Sequence, residues 1–146
     1  MITNTTPTIL ILDDDHVMLG LWADMVALLG CESTKSRHGD DAFALIRAGN
    51  YCAVLCDIFH EGLNGYELVK KVRQVNPVIP MIACSGAGNE ETALAAGFDV
   101  FLKKPCKVEE LLRAIVHSVR SKENVTLAES MTKSCIDRGW NLSETS

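Results

Sequence analysis

The run Cys52-Ala53-Val54-Leu55-Cys56-Asp57 limits what this chain can fold into more than any other stretch. Small and apolar residues lead straight into a carboxylate. The chain then turns polar and glycine-containing through His60, Glu61, Gly62, Asn64 and Gly65. A short continuous apolar run bounded by turn residues is the pattern of a strand buried on both faces. Ile9-Leu10-Ile11-Leu12 ends the same way in Asp13-Asp14-Asp15, Met81-Ile82-Ala83-Cys84 ends in Ser85, and Val100-Phe101-Leu102 ends in Lys103-Lys104-Pro105. Four buried strands therefore each deliver a polar group to one edge, where open α/β sheets place their ligand crevice.

Helical spacing fills the gaps between these runs. Asp15 is placed to cap a helix with apolar positions at Val17, Met18, Leu21, Trp22, Met25 and Val26, ended by Gly30. Glu32–Arg37 reads as a short polar edge strand. Asp40 or Asp41 opens a second helix with Ala42, Phe43, Leu45 and Ile46 inward, and Asn64 caps a third from Tyr66 to about Gln74. A short helix through Ala93–Ala96 stops at Gly97, and Val108–Arg120 is amphipathic. Strand and helix alternating five times predict an α/β fold, a doubly wound parallel sheet with helices on both faces. This domain covers residues 8–121. In the tail, 122–146, Thr126 and Glu129 suit a capping box for a sixth helix, although a frayed end fits equally.

Composition narrows the function. A chain of 146 residues fits one domain, and 47% apolar with 23% charged residues predicts a packed core. The net charge of −5 argues against nucleic-acid binding, which needs clustered Lys and Arg. No apolar run approaches the roughly 20 residues that span a bilayer, and residues 1–8 lack the pattern of a signal peptide. The expectation is a cytoplasmic protein without a membrane segment. None of the six cysteines has CxxC spacing, and Cys52, Cys56 and Cys84 fall in buried-strand patterns. They read as reduced structural thiols, with redox sensing by Cys106 or Cys135 as the lesser reading. His16, His38, His60 and His117 have no metal-ligand spacing and read as surface residues.

If Asp13, Asp14 and Asp57 converge, three carboxylates share one crevice. Two unit charges ~4 Å apart repel by on the order of 4 kcal/mol at an effective dielectric of 20, so the cluster calls for a cation. Hard oxygen ligands suit Mg2+. Lys104 adds a second positive group and Ser85 a hydroxyl donor. A carboxylate nucleophile, a dication, a lysine and a hydroxyl together meet the needs of phosphoryl transfer onto an aspartate.

These residues in this order resemble the bacterial-type response regulator receiver domain. The resemblance rests on Asp13-Asp14-Asp15 after an apolar strand, Asp57 with Gly65 beyond it, Ser85-Gly86, and Phe101-Leu102-Lys103-Lys104-Pro105, and it covers about residues 8–120. It implies a five-stranded parallel sheet of order 2-1-3-4-5, flavodoxin-like, with five flanking helices. It implies Asp57 as phosphoacceptor, Asp14 as direct Mg2+ ligand, Asp13 often acting through water, and the backbone carbonyl of Phe59 on the metal. Ser85 and Lys104 would hold the phosphoryl oxygens. Ser85 and Phe101 would form the switch, and the peptide bond between Lys104 and Pro105 is commonly cis in the family. Four positions depart from the pattern, one of them the small Ala87 two residues after Ser85. His60 and Glu61 stand where the family usually has Met-Pro, and the bulky Phe59 flanks the phosphoryl group, where it would restrict water.

The expected function is a stand-alone phosphorylation switch, better described as a signalling protein than an enzyme, although it catalyses its own phosphorylation and dephosphorylation. A histidine kinase or phosphotransfer protein would be the donor and a protein partner the target. Many receivers dimerise through the switch face, so the resemblance allows a homodimer, and nothing in the sequence decides it. Residues 122–146 are too few for a helix-turn-helix output domain, which favours an adaptor, a relay shuttle or a receiver whose tail binds something. Two rivals remain: a receiver excised from a hybrid kinase or longer regulator, and a Mg2+-dependent phosphatase with Asp57 as nucleophile. The phosphatase reading would want an acid where Phe59 stands.

Overall fold

The computed structural model describes residues 6–59 and 63–142. Five strands, β1 (Thr8–Leu12), β2 (Glu32–Ser36), β3 (Ala53–Cys56), β4 (Met81–Ser85) and β5 (Val100–Lys103), form one parallel sheet in the order β2-β1-β3-β4-β5. The order and the parallel pairing are those expected from the sequence. Successive side chains on a strand point to opposite faces, and the core divides accordingly. Ile9, Ile11, Leu55 and Cys84 pack under α1 (His16–Ala27) and α5 (Val108–Ser121). Leu10, Leu12, Val54, Cys56 and Ala83 pack under α2 (Gly39–Ala48), α3 (Gly65–Val75) and α4 (Glu90–Ala96). β2, at the edge, is the polar strand: only Ser36 on it is buried.

A sixth helix, α6 (Val125–Asp137), follows α5 and folds back onto the α1–α5 face, burying Ala128, Met131 and Cys135. The Ser134 hydroxyl donates to the Leu28 carbonyl at 3.0 Å, and the Cys135 thiol lies 3.5 Å from the same oxygen. Leu28 is the C-cap of α1, so α6 satisfies a carbonyl that the end of a helix leaves without an intrahelical partner. No helix among the described residues is long and apolar enough to cross a membrane.

Helix boundaries correct the sequence reading in two places. The N-cap of α2 is His38, and Asp40 and Asp41 lie in the first turn, where carboxylates favour the positive end of the helix dipole without capping it. The cap of α6 is Asn124, whose side chain accepts from the Leu127 N–H, rather than Thr126. Asp15 and Asn64 cap α1 and α3 as read, Asn64 within a full capping box closed by Glu67. His60 and Glu61 lie outside the described residues.

Candidate functional site

The sheet places the site before any side chain is considered. Leu12 and Cys56 are register partners at the ends of β1 and β3. Both strands lie where the winding reverses, so Asp13 and Asp57 emerge side by side. The Asp57 N–H donates to the Leu12 carbonyl at 2.9 Å, and the Asp13 N–H to the Ser36 carbonyl at 3.1 Å. On the other side the Lys104 N–H donates to the Ser85 carbonyl at 2.9 Å, which holds the lysine beside the serine at the ends of β5 and β4.

Asp13, Asp14 and Asp57 each offer an oxygen within 4.8 Å of the others. Asp13 and Asp57 are buried, at 1% and 9% exposure, and Asp14 is the most open of the three. The Lys104 ammonium lies 2.8 Å from Asp13 Oδ2 and 3.4 Å from Asp57 Oδ2. Burial pulls its pKa down, but the bonds to Asp13 and Asp57 outweigh this and leave it above the ordinary lysine value. The second oxygen of Asp13 accepts from the Asp15 N–H at 2.9 Å. Three carboxylates facing one lysine leave net negative charge in the crevice, with hard oxygen donors converging on one point, and such a donor set fits Mg2+.

Ser85 is buried at the end of β4, and its hydroxyl accepts from the Ala87 N–H at 3.3 Å. Phe101 is partly buried against the core under α2, α3 and α4, opposite Ala83 in the register. The peptide bond between Lys104 and Pro105 is cis. Phe59 is 46% exposed, and its ring meets Tyr66 edge-on at 5.8 Å between centroids. It reaches across the edge to the loop after Ser85: a Cβ added to Gly88 would stand 3.3 Å from its ring. The Gly65 N–H donates to the Ile58 carbonyl at 2.6 Å. A side chain at Gly65 would place Cβ 2.6 Å from Ile58 Cα, so the close approach requires glycine.

Two residues of this neighbourhood were not singled out by the sequence. Trp22 counts there only as an inward position of α1, yet its ring lies under the Lys104 ammonium, 4.9 Å from centroid to Nζ. Arg37, at the end of the polar edge strand, donates from Nε and Nη2 to the Asp14 carbonyl at 3.3 and 3.1 Å. Spacing alone signals neither, because both depend on which strands become neighbours.

Residues 9–116 match the family model described as the response regulator receiver domain. The nitrogen assimilation regulatory protein NtrX of Azorhizobium caulinodans is 34% identical over 124 residues, covering 82% of this chain and 27% of NtrX. A CheY-like response regulator receiver domain protein from Methanospirillum hungatei superposes with a TM-score of 0.76 at 26% identity, covering 82% of this chain and 98% of that one. The receiver domain of sensor histidine kinase PA1611 from Pseudomonas aeruginosa superposes with a TM-score of 0.73 at 27% identity, covering 80% and 99%. That structure has a magnesium ion coordinated in its active-site cleft. The chain spans about a quarter of NtrX, at 27% of its length.

Proposed function

The chain belongs to the response regulator receiver family of two-component signalling, and from that membership we propose that it is a phosphorylation switch whose acceptor is Asp57. The donor is a phosphohistidine on a histidine kinase or phosphotransfer protein. An Asp57 oxygen forms its bond to phosphorus as the donor's N–P bond breaks, and the freed imidazole nitrogen takes a proton from solvent. Asp13, Asp14 and Asp57, with the Phe59 carbonyl, would hold Mg2+, which offsets charge on the phosphoryl oxygens when bound. The Lys104 ammonium and the Ser85 hydroxyl bind the remaining phosphoryl oxygens. The observation that carries this reading is the convergence of Asp13, Asp14 and Asp57 within 4.8 Å, with Lys104 bonded to two of them.

Phosphorylation acts through packing. Bonds to the new phosphoryl group draw the Ser85 loop and Lys104 inward, Phe101 follows, and the surface of α4, β5 and α5 changes shape for a protein partner. Near the acceptor, Val17 and Leu21 lie one helical turn apart on α1 and are exposed by 59% and 46%, an apolar landing for the donor protein. We take residues 8–121 as the receiver and α6 as an addition docked on it. This docking supports reading α6 as part of the switch, since the segment right after α5 is folded onto the receiver. The second reading, a receiver built into a longer regulator, is favoured by the 27% share that the chain covers of NtrX.

The test is intact mass after incubation with Mg2+ and an acyl-phosphate donor. One phosphoryl adduct is expected, absent without Mg2+ and absent from Asp57→Asn. No adduct in the wild-type protein, with Mg2+ binding intact, would make it a fixed-state binding module.

A further inference from the structure

Behind Lys104, on the α1–α5 side of the sheet, lies a cavity of about 350 Å3. Met18, Trp22 and Met25 of α1 line it from one side, and Cys84, Lys104 and Cys106 from the other. The two thiols lie side by side in its wall with their sulfurs 3.6 Å apart. Cys84 is fully buried on β4, directly before Ser85. Cys106 is only half-buried and sits in the connection between β5 and α5, outside any helix or strand. One partner is therefore held inside the sheet, while the other lies in a connecting segment where a small molecule entering the cavity can reach it.

We propose that Cys84 and Cys106 form a dithiol site that hydroperoxides, such as hydrogen peroxide, close to a disulfide. The Cys106 sulfur attacks one peroxide oxygen and the O–O bond breaks. The departing hydroxide takes a proton and leaves as water, and Cys106 becomes a sulfenic acid. The Cys84 sulfur then attacks the Cys106 sulfur, giving up its proton. The S–O bond breaks, a second water leaves and the S–S bond forms. In sum, two thiols are oxidised by two electrons and one peroxide is reduced to two waters.

The thiols are suited to these different tasks. The hydrogen bond from Cys84 pulls Cys106 down to about 7; burial and Glu110 oppose this, and Lys104 adds to it. The lowering favours the thiolate, the nucleophilic form, at Cys106. The same hydrogen bond, together with burial, pushes Cys84 up and keeps it protonated until it attacks. A disulfide needs about 2.05 Å between sulfurs, a closure that rotation at Cys106 and a small shift of its loop can supply. The bond would tie the end of β4, which carries Ser85, to the segment that follows Lys104. A second thiol pair, Cys31 with Cys52, shares a hydrogen bond that pushes Cys31 up and pulls Cys52 down, but it lies against a different pocket, near Tyr51 and Pro80 and away from Ser85 and Lys104, while Cys56 and Cys135 are buried.

The experiment treats the full chain with hydrogen peroxide, alkylates the remaining thiols, digests without reduction and maps cross-linked peptides by mass. The expected product joins the peptides of Cys84 and Cys106, lacks two hydrogens, and reverts with dithiothreitol. Cys106→Ser and Cys84→Ala should each abolish it, and circular dichroism checks that both variants are folded. A Cys31–Cys52 cross-link alone would overturn the proposal. So would sulfinic acid at Cys106 with Cys84 still alkylated, or thiols unchanged by peroxide. None of these readouts involves phosphorylation, so the result stands apart from the receiver reading.

Discussion

Lys104 balances the charge of the site at the level of a single side chain. Its ammonium bonds two buried carboxylates, so replacing it with a neutral residue leaves both without their cation. Lys104→Met, unfolded by urea with a chelator present, should be less stable than the wild-type protein by about 1–3 kcal/mol, less than for a fully enclosed pair because Asp14 keeps the crevice open to water. Because its folded pKa is raised above the ordinary 10.5, the contribution is present throughout neutral pH and is lost only as pH rises through the folded value. The gap between the two proteins should therefore hold from pH 6 to 9 and shrink in strongly alkaline buffer; a gap that closed near pH 7 would refute this assignment. Phe59 makes a separate claim. Its ring spans the edge between the Asp57 loop and Gly88, so Phe59→Asn should admit water and shorten the phosphoryl lifetime several-fold, on the order of 1 kcal/mol in the barrier. Equal decay of the two phosphorylated proteins would dispose of that role. Asp13, Asp57 and Ser85 were legible in the sequence because each directly ends an apolar run, and Asp14 and Lys104 because each stands one residue beyond such an end, Lys104 directly before Pro105. Trp22 under Lys104, and Cys84 facing Cys106, were not, because nothing in the spacing of one element says which side chains of another will meet it.

At the scale of elements, legibility followed burial. β1, β3 and β4 are covered on both faces and read as unbroken apolar runs, while β2 could be recognised as an edge by its polarity. Caps were less certain, since Asp, Asn, Ser and Thr can all cap and several often stand close together. At α6 the choice was made by the chain path. Lys122 ends α5, Glu123 takes a positive φ of 67°, and the reversal leaves Asn124 at the start of the next helix. Whether α6 belongs to the core is open to measurement. Met131 is fully buried among residues of α1 and α5, so Met131→Ala should destabilise the whole domain by about 2–5 kcal/mol through lost burial and the cavity left behind. Asn124→Ala should cost about 1 kcal/mol through the lost cap. Both should shift a single cooperative urea transition. If Met131→Ala left the midpoint in place, α6 would be an undocked appendage, and the reading of α6 as part of the switch would lose its support.

The whole molecule links its acidic edge to its global stability. A doubly wound sheet brings strand ends from distant parts of the chain to one crevice, here residues 13, 14, 57, 85 and 104. The acidic share of that gathering exceeds what Lys104 neutralises, in a chain whose net charge is already −5. Unfolding disperses these carboxylates, so a dication that requires all three binds the folded state alone. Mass action then makes Mg2+ a stabiliser of the entire domain: at a hundredfold excess over Kd the gain is about 2.7 kcal/mol. For a domain of this size, that corresponds to a rise in melting temperature of roughly 5–10 °C. The same titration with Asp13→Asn or Asp57→Asn should flatten the rise, because each replaces a charged carboxylate of the cluster with a neutral amide. Lys104→Met should steepen it, since the metal would then be the only cation facing those carboxylates. Equal Mg2+ shifts in the wild-type protein and both Asp variants would mean that the ion acts by general screening, and the carboxylate cluster would not be its site. A shift confined to proteins with all three carboxylates would tie the domain's stability to the crevice in which phosphoryl transfer is proposed to occur.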